Sequence, residues 1–157
     1  MYKKILLPID GSECAERAGG HAIWTSNVSG ADIVVLYVVD TYFLRSAYLP
    51  NFRGELYDSL QNEGEEVVEH FRKKLEESQC EGLCKGVKLK TEVTGGKPYE
   101  EILDTIRRES IDVVFMGSTG KHGCQKSSTF EGLNRTLFGS TTDRVLRSAK
   151  VPVVVVP

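Results

Sequence analysis

The sequence predicts a doubly wound α/β domain: a five-stranded parallel sheet in the order 3-2-1-4-5 with helices on both faces. Three observations carry this. Short apolar runs recur five times along the chain, and amphipathic stretches of helical spacing separate them. The runs are also mostly continuous rather than alternating, as suits parallel strands covered on both faces. At 157 residues the chain has the size of one domain, and residues 1–157 read as a single unit with no internal repeat and no low-complexity segment.

The elements follow in order. Lys3–Ile9 is an apolar run that ends in Asp10-Gly11, so it reads as a buried strand and a turn. Ser12 is placed to cap a helix whose first turn holds Glu13 and Glu16, with Ala15, Ala18, Ala22 and Ile23 on one face. Ala31–Val39 is the second strand. Asp40–Gly54 reads as an irregular, aromatic-rich excursion containing Tyr42, Phe43, Tyr48 and Phe52. Leu56, Leu60, Val67, Val68, Phe71 and Leu75 then mark a long amphipathic helix, with Glu69 and Lys73 paired on its wet face. Val87–Thr94 alternates as the third strand and stops at Gly95-Gly96. Pro98 opens a helix along Tyr99, Ile102, Leu103 and Ile106. Ile111–Met116 is the fourth strand, Ser140-Thr141-Thr142-Asp143 forms a capping-box pattern before the last helix, and Pro152–Val156 is the fifth strand.

Composition narrows the function. With 20 Lys+Arg against 22 Asp+Glu, the chain has no positive excess to hold a nucleic-acid backbone or an anionic membrane surface. No apolar run approaches the roughly 20 residues of a bilayer-spanning helix. Met1-Tyr2-Lys3-Lys4 leads straight into the first strand without a secretory signal, so a cytoplasmic location is expected. Cysteines stand at 14, 80, 84 and 124, and a reducing compartment would keep them as thiols. Cys80 and Cys84 lack the second close pair of ligands that structural zinc requires, so no metal centre is assigned. A Cys80–Cys84 disulfide is the alternative in a hyperthermophile.

In a doubly wound sheet the ligand lies beyond the carboxyl ends of the strands where the winding reverses, here between strands 1 and 4. The loops after Ile9 and Met116 should therefore form the site. The second of them is Gly117-Ser118-Thr119-Gly120, and Gly139-Ser140 stands at the start of the last helix. Glycines let backbone N–H groups approach an anion, and a helix N-terminus adds unpaired donors and the positive end of its dipole. Together they suit a phosphate, and a Cβ at Gly117 or Gly139 would be expected to block its approach. The plainer reading is that these glycines only make turns. The loop is neither a Walker A motif nor a dinucleotide fingerprint.

These residues resemble the universal stress protein family. The resemblance rests on Gly117-x2-Gly120 followed by Gly139-Ser140, Pro8-Ile9-Asp10-Gly11-Ser12 after strand 1, Val38-Val39-Asp40 after strand 2 and the closing Val-Pro-Val-Val-Val. Where the ATP-binding branch of the family has Gly-x2-Gly-x9-Gly-Ser/Thr, this chain has 18 residues, 121–138, between the second and third glycines. The simplest alignment treats Cys124–Gly132 as an insert, expected to be a mobile flap. The resemblance implies ATP, with or without Mg²⁺, as the ligand. It implies that Asp10 reaches the ribose, that the backbone of Val38 reads the adenine edge, and that Pro8, Ile9 and Met116 line the base pocket. Gly117, Ser118, Gly120, Gly139, Ser140 and Thr141 would hold the phosphates. A turn or helix-start role is the alternative for Asp10, and plain core is the alternative for Val38 and Met116.

No catalytic constellation stands out: His21 and His70 lie in helices, and His122 and Cys124 lie in the glycine loop without an identifiable orienting partner. Lys121 and Arg135 are candidate phosphate cations or ordinary surface charges. The resulting expectation is an adenine-nucleotide-binding stress-response or signalling module, with slow or no hydrolysis, acting through an unidentified protein partner. The alternatives are a slow ATPase or phosphotransferase, and a dimeric scaffold without nucleotide. The apolar edge strand Val153, Val154, Val155 and Val156 invites pairing with a second copy, as the family resemblance also implies.

Overall fold

β1 (Lys4–Ile9) lies in the middle of a five-stranded sheet, hydrogen-bonded on one side to β2 (Asp32–Asp40) and on the other to β4 (Val113–Gly117). β3 (Leu89–Gly96) extends the sheet beyond β2, and β5 (Val153–Val156) extends it beyond β4. All pairings are parallel and the order is β3-β2-β1-β4-β5, as the sequence predicts. The computed structural model describes residues 1–46, 53–80, 86–121 and 138–157. The Cys124–Gly132 insert, Cys84, His122, Arg135, Tyr48 and Phe52 lie outside the described residues.

Alternation along the strands divides the core in two. Ile5, Leu7, Ile9, Val35, Tyr37 and Phe115 face α1 (Glu13–Ser29) and α3 (Arg53–Cys80), packing on Ala18, Ala22, Phe71 and Leu75. Leu6, Val34, Leu36, Val114 and Met116 face α4 (Pro98–Arg108) and α5 (Ser140–Ser148), packing on Ile102, Ile106 and Val145. Burial on both faces explains why the strand runs are continuously apolar.

The helix starts show where local sequence decides. Ser12 caps α1 as expected, its side chain accepting from the Ala15 N–H at 3.2 Å. The capping box expected before the last helix does not form. The N-cap is Gly139 without a side-chain cap, and Ser140 is already helical. The Thr142 hydroxyl instead donates to the Gly117 carbonyl at 2.9 Å, and Asp143 accepts from Arg147 at 2.8 Å. The helix starts one residue earlier, with the Asp143 N–H donating to the Gly139 carbonyl at 2.9 Å. The start of the Asp40–Gly54 excursion is likewise not irregular: Thr41–Ser46 is a short helix, α2, held down by the buried Leu44. On α3, Glu69 pairs with Arg72 at 3.2 Å, where the sequence pointed to Lys73. At the amino-terminal edge of the sheet, the Asp112 carboxylate accepts from the Lys3 and Lys4 N–H groups at 2.8 and 2.9 Å. These two bonds tie the starts of β1 and β4 together and hold its pKa below the ordinary carboxylate value.

Two adjacent helical glycines separate packing from propensity. A Cβ on Gly19 would overlap the Phe71 ring, whereas one on Gly20 would meet nothing within 4 Å. Gly19→Ala should destabilise the protein, since overpacking costs about 1–3 kcal/mol against roughly 1 kcal/mol gained in helix propensity. Gly20→Ala should stabilise it by roughly 0.5–1 kcal/mol. Thermal melts of the two variants should move in opposite directions, and equal shifts would contradict this packing of α1 against α3.

Candidate functional site

The site begins where β1 ends. Gly11 follows Asp10 with φ of 77°, a left-handed turn that a side chain would strain. The turn brings the Asp10 carboxylate over the loop that follows β4. One carboxylate oxygen accepts from the Ser12 N–H at 3.0 Å, and the other accepts from the Lys121 N–H at 3.1 Å. Asp10 therefore fastens the first-strand turn to the glycine loop. This is the turn role weighed above, extended to a long-range contact that sequence spacing does not reveal.

Each wall of the glycine loop is held from a different element. Ser118 N–H donates to the Val156 carbonyl at 2.7 Å, and Gly139 N–H donates to the Ser118 carbonyl at 2.8 Å. The two glycine segments thus meet despite the long interval between them in sequence. A Cβ on Gly117 would lie 2.8 Å from Cys14 Cβ and 3.0 Å from the Ala15 nitrogen. The glycine is thus needed for α1 to approach β4, and its missing side chain faces α1. A Cβ on Gly139 would meet Thr119 Cα at 3.4 Å. Cys14 Sγ lies 3.6 Å from the Thr119 hydroxyl and accepts from Arg17 at 3.3 Å. Cys14 is disulfide-bonded, which departs from the all-thiol expectation.

Lys121 reaches from the glycine loop across Gly11 to α3, where its ammonium pairs with Glu63. Burial opposes the charged ammonium, but Glu63, Tyr37 and Asp10 outweigh it and hold the Lys121 pKa above its ordinary value. Burial, reinforced by Glu63, pushes the Tyr37 phenol up as well.

On the other face of the sheet, a cavity of about 280 Å³ opens between β2, α2, α4 and α5. This is near the lower end of the usual range for small-molecule sites, about 300–1,000 Å³. Asp40, Tyr42, Lys97, Pro98, Tyr99, Ser140, Thr141 and Arg144 line it. Met116 is buried on this face and Val38 packs against it; strand alternation from Leu6 directs Pro8 to the same face. The Ile9 side chain points the opposite way, into the core under α1 and α3, so only its backbone is available to a ligand.

Cations rim the cavity. Lys97 Nζ stands 5.2 Å from the Tyr42 ring centroid and 3.1 Å from Glu100 Oε1, and the Arg144 guanidinium lies 4.7 Å from the Tyr99 centroid. Glu100 also accepts from the Tyr99 hydroxyl at 2.7 Å; that bond and Lys97 hold its pKa below the ordinary value. The uncapped N-terminus of α5, with Ser140 and Thr141 in its first turn, completes this side. The sequence reading named Ser140 and Thr141 but not Lys97, Tyr99 or Arg144. Arg144 stands one turn beyond Ser140, the spacing that could have drawn notice. Among the described residues, no group of three His, Cys, Asp or Glu side chains is placed to hold a metal ion. No helix among them is long and apolar enough to cross a membrane.

A family model, the Universal stress protein family, matches residues 1–157. The chain is 33% identical over 156 residues to universal stress protein MJ0531 of Methanocaldococcus jannaschii, covering 99% of this chain and 82% of that one. The solved structure of MJ0577, a second universal stress protein of that organism, superposes with a TM-score of 0.78 at 33% identity, covering 99% and 96% of the two chains. UspA from Lactobacillus plantarum follows at 0.77 and 27%, with 99% and 98% covered. Two more distant universal stress proteins share the fold: one in complex with cAMP (TM-score 0.62, 16% identity) and one from Arabidopsis thaliana with AMP bound (0.63, 18%).

The Asp10 tie is open to a direct test. A Cβ on Gly120 would lie 2.6 Å from Asp10 Oδ2 and displace it from the Lys121 N–H, whereas Gly139 has room for one. Gly120→Ala should lower stability by about 1–2 kcal/mol, the worth of a partly exposed charge-assisted bond. It should also speed hydrogen exchange at the Lys121 amide, while Gly139→Ala leaves that exchange rate unchanged. Equal protection of Lys121 in both variants would refute the tie.

Proposed function

The chain belongs to the universal stress protein family, and we propose that it binds an adenine nucleotide, ATP foremost, at the carboxyl ends of β1, β2 and β4. The observation that carries this reading is the meeting of the 117–120 loop with the uncapped start of α5, beside a cavity with cationic and hydroxyl-bearing walls. Backbone N–H groups and the helix dipole there favour a phosphate chain. Pro8, Val38 and Met116 lie on the same face of the sheet as the cavity, and the base would be expected beside them, with Asp10 at the same edge of the sheet. Adenine nucleotides in two proteins of this fold support the reading.

In this proposal the protein is a cytoplasmic stress-response module. Bound nucleotide, with or without Mg²⁺, alters its contacts with a protein partner, and hydrolysis is slow or absent. Acid extraction of gently purified protein, followed by chromatography of the released nucleotides, should yield ATP, ADP or AMP. Titration calorimetry should show ATP binding to the emptied protein, and absence of both signals would overturn the reading. Single-turnover phosphate release then separates a binding module from a slow ATPase.

We further propose a two-fold dimer through β5. Among the described residues this strand pairs only with β4, and Val154 on it is 36% exposed. Antiparallel pairing of two copies would satisfy the edge of β5 that no described strand covers. Sedimentation should show a mass that rises with concentration to twice that of the chain, and Val154→Lys should shift it toward the monomer. A mass fixed at one chain across all concentrations would refute the dimer.

A further inference from the structure

We propose that Trp24, with Val28, is a docking stripe for a second copy of this chain: α1 of each copy presents the stripe to the other, and the two indoles close the groove above the paired β5 strands. This extends the β5 pairing proposed above to a helix, and rests on it.

Trp24 and Val28 are 65% and 64% exposed, more than any other large apolar side chain among the described residues except Met1. They stand seven and eleven residues beyond Arg17, so all three share one stripe of α1. Arg17 fixes where that stripe lies, because its Nε donates to the Pro157 carbonyl at 2.6 Å, just past the end of β5. From there α1 runs back over β1, β4 and β5. Seven residues of helix and three of strand each cover about 10 Å, which sets Trp24 level with Val154. Val156 belongs to the core on the α1 face, and alternation puts the exposed Val154 on that same face. The apolar stripe of α1 and the uncovered valine of the edge strand therefore adjoin.

Two arguments make the occupant a second copy. A strand edge is completed by another strand, and a two-fold axis normal to the sheet keeps both α1 helices on one face, on either side of the paired strands. The other argument is area. A stable interface buries about 1,200–2,000 Å², and a strand of four residues, about 13 Å long, falls short of that by its own pairing. Large aromatic side chains bury about 150–250 Å² each. Pairing about the middle of β5 brings both indoles to the same stretch of groove, where they cover both copies of Val154.

The chain contains one tryptophan, so its fluorescence reports this position alone. Across the concentrations at which the sedimenting mass falls from two chains to one, the emission maximum should move to the red and acrylamide quenching should rise. Trp24→Ser should weaken dimerisation at least about tenfold, as loss of a central interface aromatic does. Its circular dichroism should match that of the unmodified protein, because the side chain is exposed in the single chain. Trp24→Phe should retain most of the affinity. A dimer whose tryptophan is quenched as readily as in the single chain, or a Trp24→Ser protein that dimerises with unchanged affinity, would overturn the role of α1 and leave the β5 pairing standing. A mass of one chain at every concentration would remove the pairing and this inference together, and would leave the stripe to a foreign protein surface.

Discussion

The position of β1 between β2 and β4 is the constraint on which the remainder of the molecule depends. Because every strand is parallel, each loop leaving a carboxyl end emerges on the same edge, and the crossovers diverge to opposite faces on either side of β1. The turn at Asp10-Gly11, the loop after β4 and the start of α5 thus come together although more than a hundred residues separate the first from the last. Gly117 lets α1 close on β4 at the mouth of this crevice.

Hydrogen bonds within the chain hold the crevice together. Asp10 holds the Ser12 and Lys121 N–H groups, Thr142 holds the Gly117 carbonyl, and Gly139 holds the Ser118 carbonyl. These donors are engaged within the chain, so the bonds order the backbone of both glycine segments. Charge is also sorted across the two faces: Lys121 is committed to Glu63 on the α3 side, while Lys97 and Arg144 lie over aromatic rings on the α4–α5 side.

The interval of 18 residues between Gly120 and Gly139 distinguishes this chain from the nine-residue spacing to which its loop was compared. Its ends are nonetheless brought together by the Gly139–Ser118 bond. Lengthening a loop adds only a logarithmic closure cost, about 0.6 kcal/mol per doubling, which one or two backbone hydrogen bonds offset. The anchoring of both ends by β4, β5 and α5 matters more than the number of residues between them.

By itself the sequence determined the strand order, both core faces and the α1 cap, because apolar periodicity and a serine before a helix act locally. It also singled out the carboxyl edge of the sheet as the place of the candidate site, since a parallel sheet gathers its outgoing loops there. Tertiary structure alone decided the rest. Asp10 is a tie to Lys121, a residue 111 positions away. Ser140 is helical and not the cap, because Gly139 is the N-cap of α5 and its N–H is tied to the Ser118 carbonyl across the fold. Ile9 turns away from the cavity by strand alternation, and Arg144 of α5 and Lys97, just before α4, both line it. Each of these outcomes depends on which groups become neighbours across the fold, and a long-range hydrogen bond or cation–ring contact leaves no periodic trace in the order of residues.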